Sequence, residues 1–374
     1  MPEPVEDLRK TPLHAVHTAA GARMVPFGGW DMPVQYPAGQ IAEHEAVRNA
    51  VGMFDVSHMG QARLRGARVW EFLALLVPGN TARLADGGSL YTTLCTESGG
   101  VVDDLIVSRL SPTEAFLVIN AATAEDDLAW IFSKMDELGF DDVELYDECE
   151  DWAMIAVQGP EALALAERLI PGTAWTQAKA FTLHTLELEG APHLVSRTGY
   201  TGENGIELLC PPALAETWWN RFAEAGAQPC GLAARDSLRL EMGYPLYGQD
   251  LAEDISPLEG GIGWTVSFKK SERFIGRTAL EAQKQNEPRR LRVGLRFDNR
   301  RPMRHDDSVS DGERIVGRVT SGGFSPTLGV GIGIALVEAP AASRTELFIE
   351  KAGKRLEAAV VKPPFVTVKS IAPK

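Results

Sequence analysis

The stretch "GGVVDDLIVSRL", residues 99–110, places two adjacent aspartates inside an apolar run. Its valines, leucines and isoleucine favour a half-buried strand. Successive strand side chains point to opposite faces, so Asp103 and Asp104 must face opposite ways. One of them is then turned inward, where a carboxylate costs free energy unless it is hydrogen-bonded or paired. The alternative, that an aspartate here only binds loop amides after "SGG", is equally compatible with the pattern.

The residues around this run extend it to a small sheet and a helix. "SLYTTLC", residues 89–95, predicts a strand, and the two glycines of the intervening "TESGG" predict an antiparallel hairpin. "FLVIN", residues 116–120, predicts the next strand. Thr123 then stands where it can cap a helix. That helix would bury one apolar stripe, formed by Leu128, Ile131, Phe132, Met135 and Leu138.

The pattern of the chain changes near residue 285. Upstream, strands are mixed with helices such as "VWEFLALL", residues 69–76, and "ALAETWWNRFAEAG", residues 213–226. Residues 281–290, "EAQKQNEPRR", predict a helix end that runs into a linker. Downstream, short strands with turn signals predict an all-β module of sandwich or barrel type. The expected fold class is therefore α+β, followed by a β module.

Composition and charge exclude several classes of partner. The 374 residues carry a net charge of −14, and an acidic surface repels nucleic acid and anionic membranes. No apolar stretch is long enough to span a bilayer, and "MPEPVEDLRK" lacks the apolar centre of a signal peptide. The four cysteines form no CxxC pair. We therefore expect a cytoplasmic protein with free thiols.

One segment departs from the acidic average. Seven arginines lie between residues 289 and 304: Arg289, Arg290, Arg292, Arg296, Arg300, Arg301 and Arg304. This arginine cluster is either a solvated face or a docking patch for an acidic partner.

Two further stretches hold groups suited to ligand binding. In "SRTGYTGENGIEL", residues 196–208, the glycines lack the GxGxxG order and there is no GK[ST], so nucleotide binding is weakly supported. Glu207 is either a half-exposed strand residue or an acceptor for the donor edge of a heterocycle. In "GLAARDSLRLEMGYPLYGQD", residues 231–250, Arg239 either pairs with Asp236 or presents its guanidinium to a carboxylate.

His58, in "DVSHMG", is a titratable candidate or simply a satisfied core histidine. The chain has no GxSxG elbow and no HExxH pair, so covalent serine chemistry and metal catalysis lack support.

Taken together, these motifs resemble the T-protein family of the glycine cleavage system, the folate-dependent aminomethyltransferases. The resemblance runs from about residue 11 to 365 and rests on six ordered motifs: "RMVPFGGWDMPVQY", "GMFDVSHMG", "GGVVDDLIV", "SRTGYTGENGIEL", "GLAARDSLRLEMGYPLYGQD" and "GRVTSGGFSPTLG". It implies a three-domain ring around a central folate channel, with a C-terminal β-barrel. The domains would be a folate-binding region at 1–284 and the barrel at 285–374. The folate-binding region would hold two structural domains, the first discontinuous and the second at about 52–140.

The resemblance also implies roles for particular residues. Asp104, the second aspartate of "VVDDL", would be the catalytic carboxylate, which accepts a hydrogen bond near N10 of tetrahydrofolate and fixes N5 for attack. Glu207 would bind the amino-pyrimidinone edge of the pterin, and Arg235 would contact the folate. Other residues would line the channel or its mouth: Tyr91, Tyr200, Tyr247, Met59 and His58.

The implied reaction transfers the methylene of an aminomethyl-lipoyl H-protein to tetrahydrofolate. Ammonia leaves, and 5,10-methylenetetrahydrofolate and the dihydrolipoyl H-protein result. Tetrahydrofolate is a co-substrate in this scheme, and no metal is required. Some family members have an arginine soon after the C-terminal "PF", whereas here Phe365 is followed by Val366 and Thr367. A folate-tail contact there would fall to Lys362 or Lys369.

Two alternatives remain open. The first is a folate-dependent demethylase of a small methylated amine or sulfonium, which needs no carrier protein. The second is a non-catalytic folate-binding scaffold for iron–sulfur assembly. The second carries a KGCYxGQE signature, and the equivalent "RTGYTGENG" here has no cysteine, which argues against it. If the arginine cluster is a docking patch, the acidic carrier would be its partner.

Overall fold

The computed structural model describes residues 8–351 and 353–368. Its helices are α1 (His14–Ala19), α2 (Gln40–Asn49), α3 (Val69–Leu76), α4 (Ala124–Glu137), α5 (Ala162–Leu169), α6 (Ala215–Glu224), α7 (Leu232–Met242), α8 (Arg277–Asn286) and α9 (Ala339–Ala342). The first ten strands are β1 (Arg23–Phe27), β2 (Trp30–Gln35), β3 (Gly52–Asp55), β4 (Gly60–Arg65), β5 (Ser89–Cys95), β6 (Val101–Ser111), β7 (Glu114–Ile119), β8 (Glu144–Asp147), β9 (Ala153–Gln158) and β10 (Leu183–Leu188). The remaining strands are β11 (Ala191–Ser196), β12 (Gly205–Cys210), β13 (Gln228–Pro229), β14 (Arg290–Arg296), β15 (Ser308–Ser310), β16 (Ile315–Ser325), β17 (Val330–Glu338), β18 (Glu346–Lys351) and β19 (Lys354–Val361).

The predicted hairpin forms the edge of a five-stranded sheet with the order β5-β6-β7-β4-β8. β5 and β6 pair antiparallel, with Thr93 opposite Asp104 and Leu94 opposite Asp103. Gly99 has a φ of 86° in the connecting turn, a conformation that glycine adopts without strain. One face of this sheet packs on α3 and α4 in a shared apolar cluster that includes Phe72, Leu105 and Ile131.

A six-stranded sheet, with the order β10-β11-β12-β9-β3-β13, lies beside it. β3 precedes the five-stranded sheet in the chain, whereas the other five strands follow it. The loop from β3 to β4 therefore passes directly from one sheet to the other. The domain boundaries stated above remain a prediction.

The C-terminal strands close into a barrel with the order β14-β17-β16-β15-β18-β19, since β14 also pairs with β19. Alternating inward residues such as Val293, Leu295 and Val319 form its core. Helix α7 lies against this barrel, where Leu240 packs on Ile332 and Ile334. The α+β fold class with a terminal β-barrel is confirmed.

Two predictions about α4 need correction. Phe132 is 64% exposed and Leu138 is 37% exposed, so neither belongs to the buried stripe, which instead includes Asp127, Ile131 and Met135. The buried face of α4 differs from the predicted stripe because the Asp127 side chain occupies part of it. Thr123 is the N-cap residue, as predicted, but its side chain caps no helix amide. The hydroxyl donates instead to Asp103 Oδ2, at 3.1 Å.

Candidate active site

Asp104 is held by two donors on the face of β6 opposite to Asp103. Tyr91 lies two residues along β5 from the partner of Asp104, so the two side chains share a face. The Tyr91 hydroxyl donates to Asp104 Oδ2 at 2.8 Å, and Asn120 Nδ2 donates to Oδ1 at 3.1 Å. Burial, and then the charge of Asp103, raise the pKa of Asp104 to about 7. This carboxylate can therefore accept a hydrogen bond or a proton near neutral pH.

Asp103 is the aspartate that turns fully inward. It is 0% exposed and accepts hydrogen bonds from Asn120 Nδ2 at 2.8 Å and from Thr123 Oγ1 at 3.1 Å. The alternative interpretation, a cap on the glycine loop, does not describe this residue. Asn120 directly follows β7 and contacts both aspartates, yet nothing in the sequence singled it out. A polar residue that ends the strand next to a buried carboxylate was the available signal.

A second group of candidates surrounds Arg235, on the first turn of α7. Its guanidinium lies over the Tyr200 ring, 4.7 Å from the centroid. Burial lowers the pKa of Arg235, and the nearby Glu207 carboxylate acts in the opposite direction. Burial likewise raises the pKa of Glu207, whose carboxylate accepts a hydrogen bond from the Thr198 hydroxyl. A half-buried guanidinium near a half-buried carboxylate suits a ligand that has both acceptors and donors.

Tyr200 joins the two groups. Its hydroxyl donates to the Pro245 carbonyl, and its ring contacts the Arg235 guanidinium and the Tyr244 ring, with 5.9 Å between the two tyrosine centroids. Burial raises the pKa of Tyr200, and the charge of Asp104 acts in the same direction. Tyr247 and Tyr91 both pack against an apolar cluster of Val101, Leu251 and Ile262. Burial and the charge of Asp103 raise the pKa of Tyr247 to about 12.

The loop between β3 and β4 carries the two remaining candidates. His58 is 4% exposed, and its Nδ1 has no hydrogen-bond partner within the described ranges. Burial, and then the Arg235 guanidinium, lower the pKa of His58 to about 4, so the imidazole is neutral at physiological pH. Met59 is half-buried against an apolar cluster that includes Phe54 and Phe116. The unpartnered Nδ1 makes His58 a candidate ligand contact and not a satisfied core residue.

The barrel strand β14 contributes Arg292, which the sequence analysis grouped with the arginine cluster. Arg292 donates from Nη2 to the Gly243 carbonyl at 2.6 Å, and its buried Nε has no partner within the described ranges. Burial lowers the pKa of Arg292, whose guanidinium interacts with Tyr91 and Tyr200. Arg290 also leaves the patch, because it binds Glu259 at 3.0 Å. The exposed members of the cluster are Arg289, Arg296, Arg300, Arg301 and Arg304.

Trp264 is a second residue that the sequence did not single out. Its side chain is 69% exposed, and its ring lies 5.7 Å from the Tyr91 ring at an angle of 31°. An exposed tryptophan beside a polar site is a ready stacking surface for an aromatic ligand. Val366 and Thr367 leave the C-terminal segment without an arginine, and Lys369 lies outside the described residues.

Arg239, for which the sequence offered pairing with Asp236, is buried and does not lie on an exposed helix face. Arg239 is 2% exposed, and it donates both to Asp236 Oδ1 at 2.7 Å and to Asp250 Oδ2 at 2.9 Å. It also donates to Ser321 Oγ on β16 at 2.9 Å. Arg239 therefore fastens α7 to the barrel, and its guanidinium has partners on the protein.

The described ranges offer neither a metal centre nor a membrane-spanning helix. They contain no group of three or more His, Cys, Asp or Glu side chains placed to hold a metal ion. They also contain no helix with the length and apolar character needed to cross a membrane.

Comparisons with known proteins identify the family. The model "GCVT N-terminal domain" matches residues 13–270, and "Glycine cleavage T-protein C-terminal barrel domain" matches residues 289–367. Aminomethyltransferases of Symbiobacterium thermophilum and Rubrobacter xylanophilus are 42% and 45% identical to this chain. Each alignment covers 96% of this chain, with 98% and 94% of the respective relative.

A crystal structure gives the same result. Aminomethyltransferase T of the glycine cleavage system from Bartonella henselae superposes with a TM-score of 0.90 at 34% identity, over 96% of this chain and 98% of that one. The class is therefore a transferase with a GCVT domain followed by a terminal barrel. The chain belongs to the aminomethyltransferase family, the T-proteins of the glycine cleavage system. The demethylase alternative is not favoured.

Proposed function

We propose that this protein transfers the methylene of an aminomethyl group, carried by the lipoyl arm of an H-protein, to tetrahydrofolate. In the balanced reaction, the sulfur–carbon and carbon–nitrogen bonds of the carrier group break, and the methylene carbon forms bonds to N5 and N10 of the folate. The two protons lost from N5 and N10 end on the lipoyl sulfur and on the departing ammonia. Ammonia, the dihydrolipoyl carrier and 5,10-methylenetetrahydrofolate are the products. The observation that carries this proposal is Asp104, a half-buried carboxylate fixed by Tyr91 and Asn120.

Asp104 would act by its negative charge. Positive charge develops on the methylene as ammonia leaves, and a fixed carboxylate beside it lowers the free energy of that state. Because Tyr91 and Asn120 already hold both carboxylate oxygens, little reorganisation is needed when the charge forms. The pKa of about 7 means that the ionised form is populated at neutral pH.

Glu207, Arg235 and His58 would bind the pterin end of tetrahydrofolate. A carboxylate accepts the adjacent N–H donors of an amino-pyrimidinone, and Arg235 and the neutral His58 supply a donor and a ring-nitrogen partner. The unpartnered His58 Nδ1 supports a ligand at this position. Tyr91, Tyr200, Tyr247 and Met59 would complete the walls of the channel.

Arg292 and Trp264 would receive the remainder of the folate. The unpartnered Nε of Arg292 and the exposed Trp264 ring both belong to the surroundings of Tyr91, which suits an aryl group followed by a carboxylate. This assignment replaces the proposed lysine contacts near Phe365. It also removes Arg292 from the docking patch, which then comprises the exposed arginines of the cluster.

The proposal includes a division of the chain and a location. The folate-binding region would be 1–284, with the barrel at 285–374. We propose a cytoplasmic location, which the four free cysteines support because reducing compartments keep thiols unpaired.

A product assay tests the function. Purified protein, tetrahydrofolate and aminomethyl-loaded H-protein should release ammonia and 5,10-methylenetetrahydrofolate in equal amounts. Omission of tetrahydrofolate should slow ammonia release sharply. Methylated amines or sulfonium compounds offered without the carrier should give no folate product, and a product from them would support the demethylase instead.

Glu207→Gln tests the pterin assignment, with Glu187→Gln as its matched control. Glu187 lies on β10 of the same sheet and is exposed. The Glu207 variant should bind tetrahydrofolate at least about tenfold more weakly, because a charged acceptor for two donors is lost. Equal affinities in the two variants would contradict the assignment.

A further inference from the structure

Two buried carboxyl groups stand behind Asp104 and have no role in the proposed function. Asp103 and Asp127 are both 0% exposed. Asp103 accepts several hydrogen bonds, whereas neither carboxyl oxygen of Asp127 has a partner within the described ranges. An ionised carboxylate without donors is strongly disfavoured in such a place. Asp127 therefore carries a proton, and Asp103 carries the charge.

Asn120 connects this pair to the active site. Its Nδ2 donates to Asp103 Oδ1 at 2.8 Å, to Asp104 Oδ1 at 3.1 Å and to the Asp104 carbonyl at 3.1 Å. Its backbone amide also donates to Asp103 Oδ2, at 3.3 Å. Asp103 thus holds Asn120 at two points, and Asn120 in turn orients Asp104. Asp103 lies on β6, Asn120 directly follows β7, and Asp127 lies in the first turn of α4.

The electrostatics agree with this geometry. Burial, and then Asp103, raise the pKa of Asp127 to about 10. Burial, and then Asp103, raise the pKa of Asp104 to about 7. Between these values Asp104 is ionised while Asp127 keeps its proton. Other titratable groups face the cluster from neighbouring elements: Tyr91, Tyr200, Tyr247 and, through Tyr247, Glu253.

We propose that Asp103, ionised next to a protonated Asp127, is a positioning residue that fixes Asn120 and through it the catalytic carboxylate Asp104. The inference rests on the proposed role of Asp104. Removal of the charge on Asp103 releases Asn120 and takes away the like charge next to Asp104. Replacement of the protonated Asp127 by a neutral amide of the same shape changes neither.

The kinetic test compares Asp103→Asn with Asp127→Asn as a matched pair of isosteric variants, each checked for folding by circular dichroism and thermal unfolding. Asp127→Asn should keep kcat within about twofold and leave the acid limb of kcat/KM in place. Asp103→Asn should lower kcat at least about tenfold and move that limb about one pH unit lower, since a like charge is gone. An unmoved limb in Asp103→Asn, or the same change in both variants, would overturn the proposal.

A spectroscopic test uses the protein without folate or carrier. At about pH 8.5, between the two pKa values, infrared difference spectra should show the carbonyl stretch of a protonated carboxylic acid. Asp127→Asn should lose this band, whereas Asp104→Asn should retain it. If Asp127→Asn loses no such band, Asp127 is ionised and the proposal is wrong. This result does not depend on whether the protein transfers aminomethyl groups, which the activity of the wild type decides separately.

Discussion

Asp104→Asn should make the protein less active, and its stability relative to the wild type should rise as the pH becomes alkaline. The folded-state pKa of Asp104 is raised from 3.8 to about 7, mainly because burial disfavours the charge. An acid with a raised pKa destabilises the fold as pH rises from its unfolded to its folded value. Above about pH 7 the wild type therefore holds a charge that unfolding would release to water, and the asparagine variant does not.

The size of this effect follows from the pH range. From about pH 5 to pH 7 this carboxyl is ionised in the unfolded chain but protonated in the folded chain. Over that range the free energy of unfolding therefore falls by about 1.4 kcal/mol per pH unit. Because Asp104 is half-buried and not sealed from solvent, we discount the resulting figure of about 3 kcal/mol to about 1.5 kcal/mol. The variant also loses part of the hydrogen bonding from Tyr91 and Asn120, but that loss is present at both pH values.

Urea unfolding of wild type and Asp104→Asn at about pH 5 and about pH 8.5 measures this quantity. The stability of the variant relative to wild type should rise by about 1.5 kcal/mol between the two conditions. Asp126→Asn is the control, since Asp126 is exposed on α4 and should show no such change. A relative stability that stays constant, or falls with pH, would refute the assignment of a raised pKa to Asp104.

Three other predictions follow from the same structure. Glu207→Gln should raise the KM for tetrahydrofolate more than it lowers kcat, because the role proposed for this residue is to bind the pterin and not to act on the transferred carbon. Steady-state kinetics in tetrahydrofolate would show the reverse if Glu207 acted in the chemical step. Arg296→Glu with Arg300→Glu should raise the KM for the carrier several-fold at low salt and less at high salt, because exposed charges are screened; a salt-independent change would reject docking at this patch. Ile131→Ser should destabilise the protein by about 3 kcal/mol, whereas Phe132→Ser should change the free energy of unfolding by less than about 0.5 kcal/mol, because only Ile131 is buried; urea unfolding that ranks them the other way would contradict the α4 assignment.

Much of the fold was predictable because local patterns agree with the final structure. The β5–β6 hairpin, helix α3 and the terminal strands have strong periodicity and turn glycines, and the structure contains all of them. The alternation of side chains along β6 was sufficient to separate Asp103 from Asp104. Periodicity could not say which aspartate faced inward, since both faces of this strand contact protein.

The site depends on contacts between distant segments, which local patterns do not encode. Arg292 looks like a member of a basic run, and it shares a face of β14 with Arg296, four residues on. Only Arg292 is covered, because the chain at Gly243 lies over it, whereas Arg296 stays exposed. Asn120 gains its role only when β7 ends beside β6. Thr123 keeps its N-cap position, but its hydroxyl donates a hydrogen bond to Asp103. A buried carboxylate without a donor costs more free energy than a helix amide that other groups can satisfy.

The helix α4 shows how such a contact misleads sequence analysis. An apolar stripe through Phe132 and Leu138 fits helical spacing, but the buried position goes to Asp127. A carboxyl group on a buried helix face contradicts hydrophobic patterning and is expected mainly where function requires it. The departure from pattern at Asp127 thus points to the cluster that Asp103, Asp127 and Asn120 form behind Asp104.

The most direct test of the central claim measures kcat for Asp104→Asn in carrier-dependent turnover, together with the Kd for tetrahydrofolate. Loss of a fixed negative charge beside the reacting carbon should lower kcat by about 100-fold or more, with the Kd changed by less than about fivefold. A kcat within tenfold of wild type, at full occupancy by tetrahydrofolate, would show that Asp104 is not the group on which the transfer depends.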